Sequence, residues 1–90
     1  MRHMAIMNNH FLYWKAEGCV VSVYGKPRAD KADRTARLIE AMYQLTALNK
    51  TVVNVTKRND FMFDVTWDSP ERTCRFATNL LEAMSRSLVR

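Results

Sequence analysis

The sequence predicts an α+β fold of the order ββαββα, with a four-stranded antiparallel sheet and two helices packed on one face of it. The first observation behind this prediction is an internal duplication. Shifted by 42 positions without a gap, the chain aligns segment 38–42 with segment 80–84. The second observation is that each half begins with two β-rich runs and continues with apolar residues at helical spacing. A repeated ββα unit therefore fixes the order of the elements.

The length and the composition bound the domain organisation. Ninety residues suffice for one small domain with its own core. We assign this domain to residues 10–90, with the ββα repeats at about 10–48 and 52–90. Residues 1–9 are predicted to be a poorly ordered leader rather than a secretory signal, because no apolar stretch follows its single charge. No apolar run is long enough to span a membrane.

Turn residues predict the two hairpins. In the first hairpin, segment 16–18 separates two apolar runs and ends in Gly18, which can adopt a positive φ. In the second hairpin, segment 57–60 contains Asn59 and Asp60, whose side chains can bond their own backbone in a turn. Each hairpin is therefore expected to be a pair of neighbouring antiparallel strands.

Alternation along the strands predicts which side chains face the helices. In the second hairpin apolar and polar residues alternate, and the 42-residue shift carries the same assignment to the first hairpin. The residues predicted to face inward are Phe11, Tyr13, Cys19, Val21, Val23, Val53, Val55, Phe61, Phe63, Val65 and Trp67. The residues predicted on the outer face of the first hairpin are Leu12, Trp14, Val20, Ser22 and Tyr24.

An apolar outer face on the first hairpin is unusual, because the open face of an antiparallel sheet usually carries polar residues. Three explanations stay open. The N-terminal segment or the first helix covers the face, or a partner or a second copy covers it. Alternatively, the face assignment is wrong by one residue, which would turn every side chain of those strands to the opposite face.

Helical spacing and end signals place the two helices. The first is predicted over residues 30–48, with apolar groups at positions 35, 38, 39, 42 and 45. The second follows segment 68–71, which supplies a capping side chain, a proline in the first turn and an acidic residue. Its apolar stripe is Cys74, Ala77, Leu81, Met84 and Leu88.

No recognisable catalytic, metal or cofactor motif occurs in the sequence. The two histidines, His3 and His10, and the two cysteines, Cys19 and Cys74, lack the spacing of metal ligands or of a nucleophile with its base. The two glycines do not form a phosphate-binding loop. We therefore predict a non-enzymatic protein without a cofactor, a metal or a small-molecule ligand. Two thiols without a secretory signal favour a cytoplasmic location.

The leading functional hypothesis is a small binding or regulatory protein that acts on a protein partner or forms a homodimer. It depends on the apolar outer face of the first hairpin, since Trp, Tyr and Met are enriched at protein interfaces. The predicted contact residues are Leu12, Trp14, Val20, Tyr24 and Met62.

The alternative hypothesis is a nucleic-acid-binding module. The formal net charge is +5, from 14 Lys and Arg against 9 Asp and Glu, which permits binding to phosphates. One predicted cation set, Lys15, Lys57 and Arg58, lies at strand ends near the outer-face aromatics. The other set consists of Arg28, just before the first helix, and of Lys31 and Arg34 in the first turns of that helix. Neighbouring aspartates would weaken the positive potential of this set.

Overall fold

The computed structural model describes residues 2–7, 12–73, 75 and 79. Its strands are β1 (Arg2–Met7), β2 (Leu12–Glu17), β3 (Val20–Gly25), β4 (Asn54–Asn59) and β5 (Met62–Thr66). A 3-10 turn (Ala29–Lys31) leads into the helix α1 (Ala32–Ala47). A second helix, α2, is described at 70–73, 75 and 79. The apolar stripe predicted for this second helix lies outside the described residues. None of the described helices is both long and apolar enough to cross a membrane.

The sheet has five antiparallel strands in the order β1-β2-β3-β5-β4. The four strands that the sequence predicts are all present. The additional strand corrects the sequence interpretation, which assigned residues 1–9 to a leader. Arg2–Met7 instead pairs with β2, and Arg2 lies opposite Ala16. Backbone pairing along the β2 edge is what holds this segment in an extended conformation.

The core lies between α1 and one face of the sheet. The buried stripe of α1 consists of Thr35, Ile39, Met42 and Thr46, at the spacing that one helix face requires. The sheet contributes Leu12, Trp14, Val21, Val23, Phe63 and Val65, and Trp67 joins them beyond the end of β5. Each large apolar side chain buried there contributes roughly 1.5–3 kcal/mol before the conformational entropy cost is subtracted.

Two aromatic contacts attach neighbouring segments to this core. Tyr43 of α1 packs against the edge of Phe63, with ring centroids 5.8 Å apart. The indole Nε1 of Trp67 donates to Thr51 Oγ1 at 3.1 Å, so the polar atom of this buried ring is paired with the loop that follows α1. The start of α2 is capped locally, because Ser69 Oγ accepts a hydrogen bond from the Arg72 backbone N–H at 3.2 Å.

The predicted faces are correct for β3 and β5 and wrong for β2. Val21, Val23, Phe63 and Val65 are buried as predicted. Leu12 and Trp14, predicted on the outer face, are 0% and 1% exposed in the core. Tyr13, predicted inward, belongs to the opposite face. Cys19 lies in the β2–β3 turn and is half-buried, Val53 is 63% exposed, and Phe11 lies outside the described residues.

A β-bulge in β4 explains this error. Under the 42-residue shift, the turn at 18–19 coincides with the turn at 60–61, so the hairpins agree at their tips. In β4, however, Lys57 lies opposite Phe63 and Asn59 lies opposite Met62, which leaves Arg58 as an extra residue. A bulge places two residues opposite one and reverses the side-chain parity beyond it. The duplication therefore does not hold as a structural register in β2 and β4.

Candidate binding surface on the outer sheet face

The face of the sheet opposite α1, called the outer face here, is built from rows of side chains across neighbouring strands. Alternation along each strand puts every second residue on this face. The first row is Tyr13, Tyr24 and Met62; the second is Lys15, Ser22, Asp64 and Thr56; the third is Glu17, Val20, Thr66 and Asn54. Aromatic and sulfur-containing groups are thus concentrated in the first row.

Tyr13 and Tyr24, called the tyrosine platform here, stack on each other across β2 and β3. Their ring centroids are 5.7 Å apart and their planes make an angle of 27°. The ammonium group of Lys26 lies 5.9 Å from the Tyr13 centroid and 5.7 Å from the Tyr24 centroid, within cation–π range of both. Burial, and secondarily Tyr13, raises the pKa of Tyr24 above its ordinary value of 10.0. The Tyr24 phenol is therefore neutral at neutral pH.

An open groove of about 660 Å³ borders the tyrosine platform at the end of the outer face. One side is lined by Lys15, Tyr24, Gly25 and Lys26, and the other by Asn59, Asp60, Phe61 and Met62. Two backbone donors fix its walls. The Gly25 N–H donates to Phe61 O at 2.8 Å, and the Phe61 N–H donates to Asn59 Oδ1 at 2.8 Å. Among the described residues, the charged side chains lining the groove are two lysines and one aspartate, which gives this lining a net positive charge.

The second row contains a compensated charge. Asp64, whose side chain is 14% exposed, accepts hydrogen bonds from Ser22 Oγ and from Arg58 Nε, both at 2.8 Å. The positive charge of Arg58 is therefore balanced within the outer face. Arg58 is not well placed to supply an uncompensated cation for a phosphate, as the sequence-based alternative requires.

Lys57 lies on the opposite side of the sheet and forms an ion pair with Glu40 of α1. The hydrogen bond from Lys57 lowers the pKa of Glu40, and the same bond raises the pKa of Lys57. This pair joins α1 to β4 rather than contributing to the outer face. Of the predicted strand-end cations, only Lys15 lies beside the tyrosine platform.

The other predicted residues divide between the two sides of the sheet. Val20, Tyr24 and Met62 lie on the outer face, as the protein-contact hypothesis requires, whereas Leu12 and Trp14 do not. Arg28 is an extended residue before the 3-10 turn, Lys31 ends that turn, and Arg34 is an exposed residue of α1. Because α1 packs on the inner face, Arg34 is separated from the tyrosine platform by the sheet.

Two residues of this surface, Tyr13 and Lys26, are absent from the site residues predicted from the sequence. Tyr13 was assigned to the core by the 42-residue shift, which carries no information about a bulge. Lys26 is the first residue of the basic stretch that leads into the first helix, but neither predicted cation set includes it. Among the described residues, no cluster of three His, Cys, Asp or Glu side chains could hold a metal ion.

Comparison of this chain with protein-family models, with curated proteins and with solved structures finds no match. A function for the outer face therefore has to be argued from its own geometry, namely the ring stack, the groove and the charges around them.

Proposed function

We propose that this protein binds single-stranded nucleic acid on its outer face, with unpaired bases stacked on the tyrosine platform. The observation that carries the proposal is the stack of Tyr13 on Tyr24 with the Lys26 ammonium over both rings, within about 6 Å of each centroid. Single strands are commonly bound by aromatic side chains that stack with bases and by cations that contact phosphates. A paired duplex does not offer its base faces in this way.

The distribution of charge supports the proposal. The net charge of +5 favours binding to a polyanion, and Lys15 and Lys26 put part of this charge next to the rings. Asp64, the carboxylate of the second row, is compensated by Arg58. Of the carboxylates in the part of the chain that the structure describes, Asp60 lines the groove. The proposed role is binding without catalysis, and a cytoplasmic location, as the sequence predicts, would give access to RNA and DNA.

The test is a fluorescence anisotropy titration of a labelled single-stranded oligonucleotide at low salt. Replacing Tyr24 by Ala removes one stacking ring, and such a loss typically costs about 1–3 kcal/mol, or roughly 5- to 150-fold in Kd. Tyr24→Phe keeps the ring and should retain most of the affinity. Thr66→Ala, at the far end of the outer face, is the matched control and should bind like the wild type.

Two results would contradict the proposal. One is that the wild-type protein does not bind the oligonucleotide at low salt. The other is that Tyr13→Ala and Tyr24→Ala, shown by circular dichroism to remain folded, bind as tightly as Thr66→Ala. A duplex of the same sequence should compete less well than the single strand.

A second candidate is a protein interface, including one between two copies of this chain. It is favoured by the adjacent Tyr24 and Met62 and by Val20, which is 37% exposed on the same face. The burial of Leu12 and Trp14 removes much of the apolar area on which this hypothesis depended. Light scattering would support a homodimer if the wild type is dimeric and Met62→Lys is monomeric. A monomeric wild type would contradict self-association.

A further inference from the structure

We propose that the groove beside the tyrosine platform holds one unpaired nucleotide, with its phosphate bound by Lys15 and Lys26 and its base against Tyr24 and Met62. This inference rests on the proposed function and defines its anchor point. The groove, of about 660 Å³, is within the range of sites that take a single small organic ligand. The groove lies at the end of the first row, so a nucleic-acid strand whose bases stack on the tyrosine platform would continue into it.

Charge complementarity selects an anionic occupant. Lys15 reaches the groove from β2 and Lys26 from the segment after β3, so two separate elements supply the ammonium groups. Asp60 lines the same groove and opposes an anion there. A phosphate in the groove therefore meets two ammonium groups and one carboxylate from the described residues.

The other lining groups suit a flat, partly polar base. Met62 and Tyr24 lie opposite each other on neighbouring strands and offer a polarisable thioether beside an aromatic ring. Asn59 Oδ1 is already used by the Phe61 N–H at 2.8 Å, which leaves the amide NH₂ of Asn59 as its donor to a ligand. Apolar contact together with a few placed polar groups is typical of a small-ligand site.

The salt dependence of oligonucleotide binding tests the two lysines. Each phosphate contact on a single strand contributes about 0.7 to the slope of log K against log salt. Because both lysines are placed on one phosphate, the double variant Lys15→Gln/Lys26→Gln should reduce the magnitude of the slope by about 0.7, and each single variant should reduce it by less. Lys50→Gln makes the same charge change in the loop between α1 and β4, outside the groove, and is the matched control.

Methyl NMR tests occupancy directly. We expect thymidine 5′-monophosphate to shift the Met62 methyl signal, assigned through Met62→Leu, and to do so at lower concentration than thymidine. Lys26→Gln should abolish this difference between nucleotide and nucleoside.

The inference is overturned, and the proposed function is kept, if Tyr24→Ala weakens oligonucleotide binding but the Lys15→Gln and Lys26→Gln variants show the same salt dependence as Lys50→Gln. It is also overturned if polyglutamate shifts the Met62 signal as well as the nucleotide does. Failure of the wild type to bind any oligonucleotide would overturn both.

Discussion

Two threonines on the buried face of α1 differ in a way that can be measured. Thr35 and Thr46 are both 0% exposed. Thr46 Oγ1 donates to the Met42 backbone oxygen at 2.7 Å, whereas Thr35 Oγ1 has no hydrogen-bond partner among the described residues. An unpaired buried hydroxyl costs about 1–3 kcal/mol. Thr35→Val replaces that hydroxyl by a methyl group of similar size and is expected to increase the free energy of unfolding by about that amount.

Thr46→Val is the matched control, since it makes the same substitution on the same face of the same helix. It removes a hydrogen bond whose net contribution is about 0.5–1.5 kcal/mol, so it should lower the free energy of unfolding. For a domain of this size, 1 kcal/mol corresponds to a change of about 4–8 °C in Tm. Thermal unfolding followed by circular dichroism should therefore show a higher Tm for Thr35→Val and a lower Tm for Thr46→Val than for the wild type.

One outcome would refute this reasoning. If Thr35→Val destabilises the protein as much as Thr46→Val does, the Thr35 hydroxyl is paired in solution, for instance with a buried water. Urea unfolding should accompany the thermal measurement, because an unchanged slope shows that the substitution has altered stability rather than the unfolded state. The sign of the difference between the two variants is the decisive quantity.

Two further predictions concern the attachment of α1 to the sheet. Gly25→Ala should cost about 1–3 kcal/mol in a urea titration, because overpacking strains a dense core. Its Cβ would lie 2.6 Å from Thr35 Cγ2 and 3.0 Å from Leu12 Cδ2, and Thr35→Ser should recover part of the loss. Lys57 lowers the pKa of Glu40, so this carboxylate contributes stability that is present above its ordinary pKa of 4.5 and is lost as the pH falls through the lower folded value. Glu40→Gln should be less stable than the wild type at neutral pH and equally stable in strong acid, and a pH-independent difference would contradict this. Glu40 raises the pKa of Lys57, so the contribution of Lys57 should be intact below its ordinary pKa of 10.5 and lost as the pH rises through the higher folded value.

The central strands and the first helix could be predicted from the sequence because their own patterns decide which side is buried. In β5 the inward residues Phe63 and Val65 alternate with Asp64 and Thr66, and Met62 is the one apolar residue on its outer side. The face of β3 then follows, because β3 pairs directly with β5. The stripe of α1 was predicted correctly except near its end, where Leu45 is exposed although it lies at apolar spacing and Thr46 is buried instead. Periodicity gives the direction of a helix face, but the width of the buried stripe depends on what packs against it.

The face of β2, the first strand of the first hairpin, could not be predicted, because local alternation does not determine it. β2 has apolar residues in both phases, Leu12 and Trp14 in one and Tyr13 in the other, so only a comparison with β4 could decide between them. The bulge at Arg58 invalidates that comparison, and bulges are frequent at sheet edges, where β4 lies in the described sheet. The same shift of one residue that buries Trp14 turns Tyr13 outward beside Tyr24. Two structurally equal copies would bury Tyr13, one of the two rings on which the proposed site depends, so the departure from the repeat is what produces the tyrosine platform.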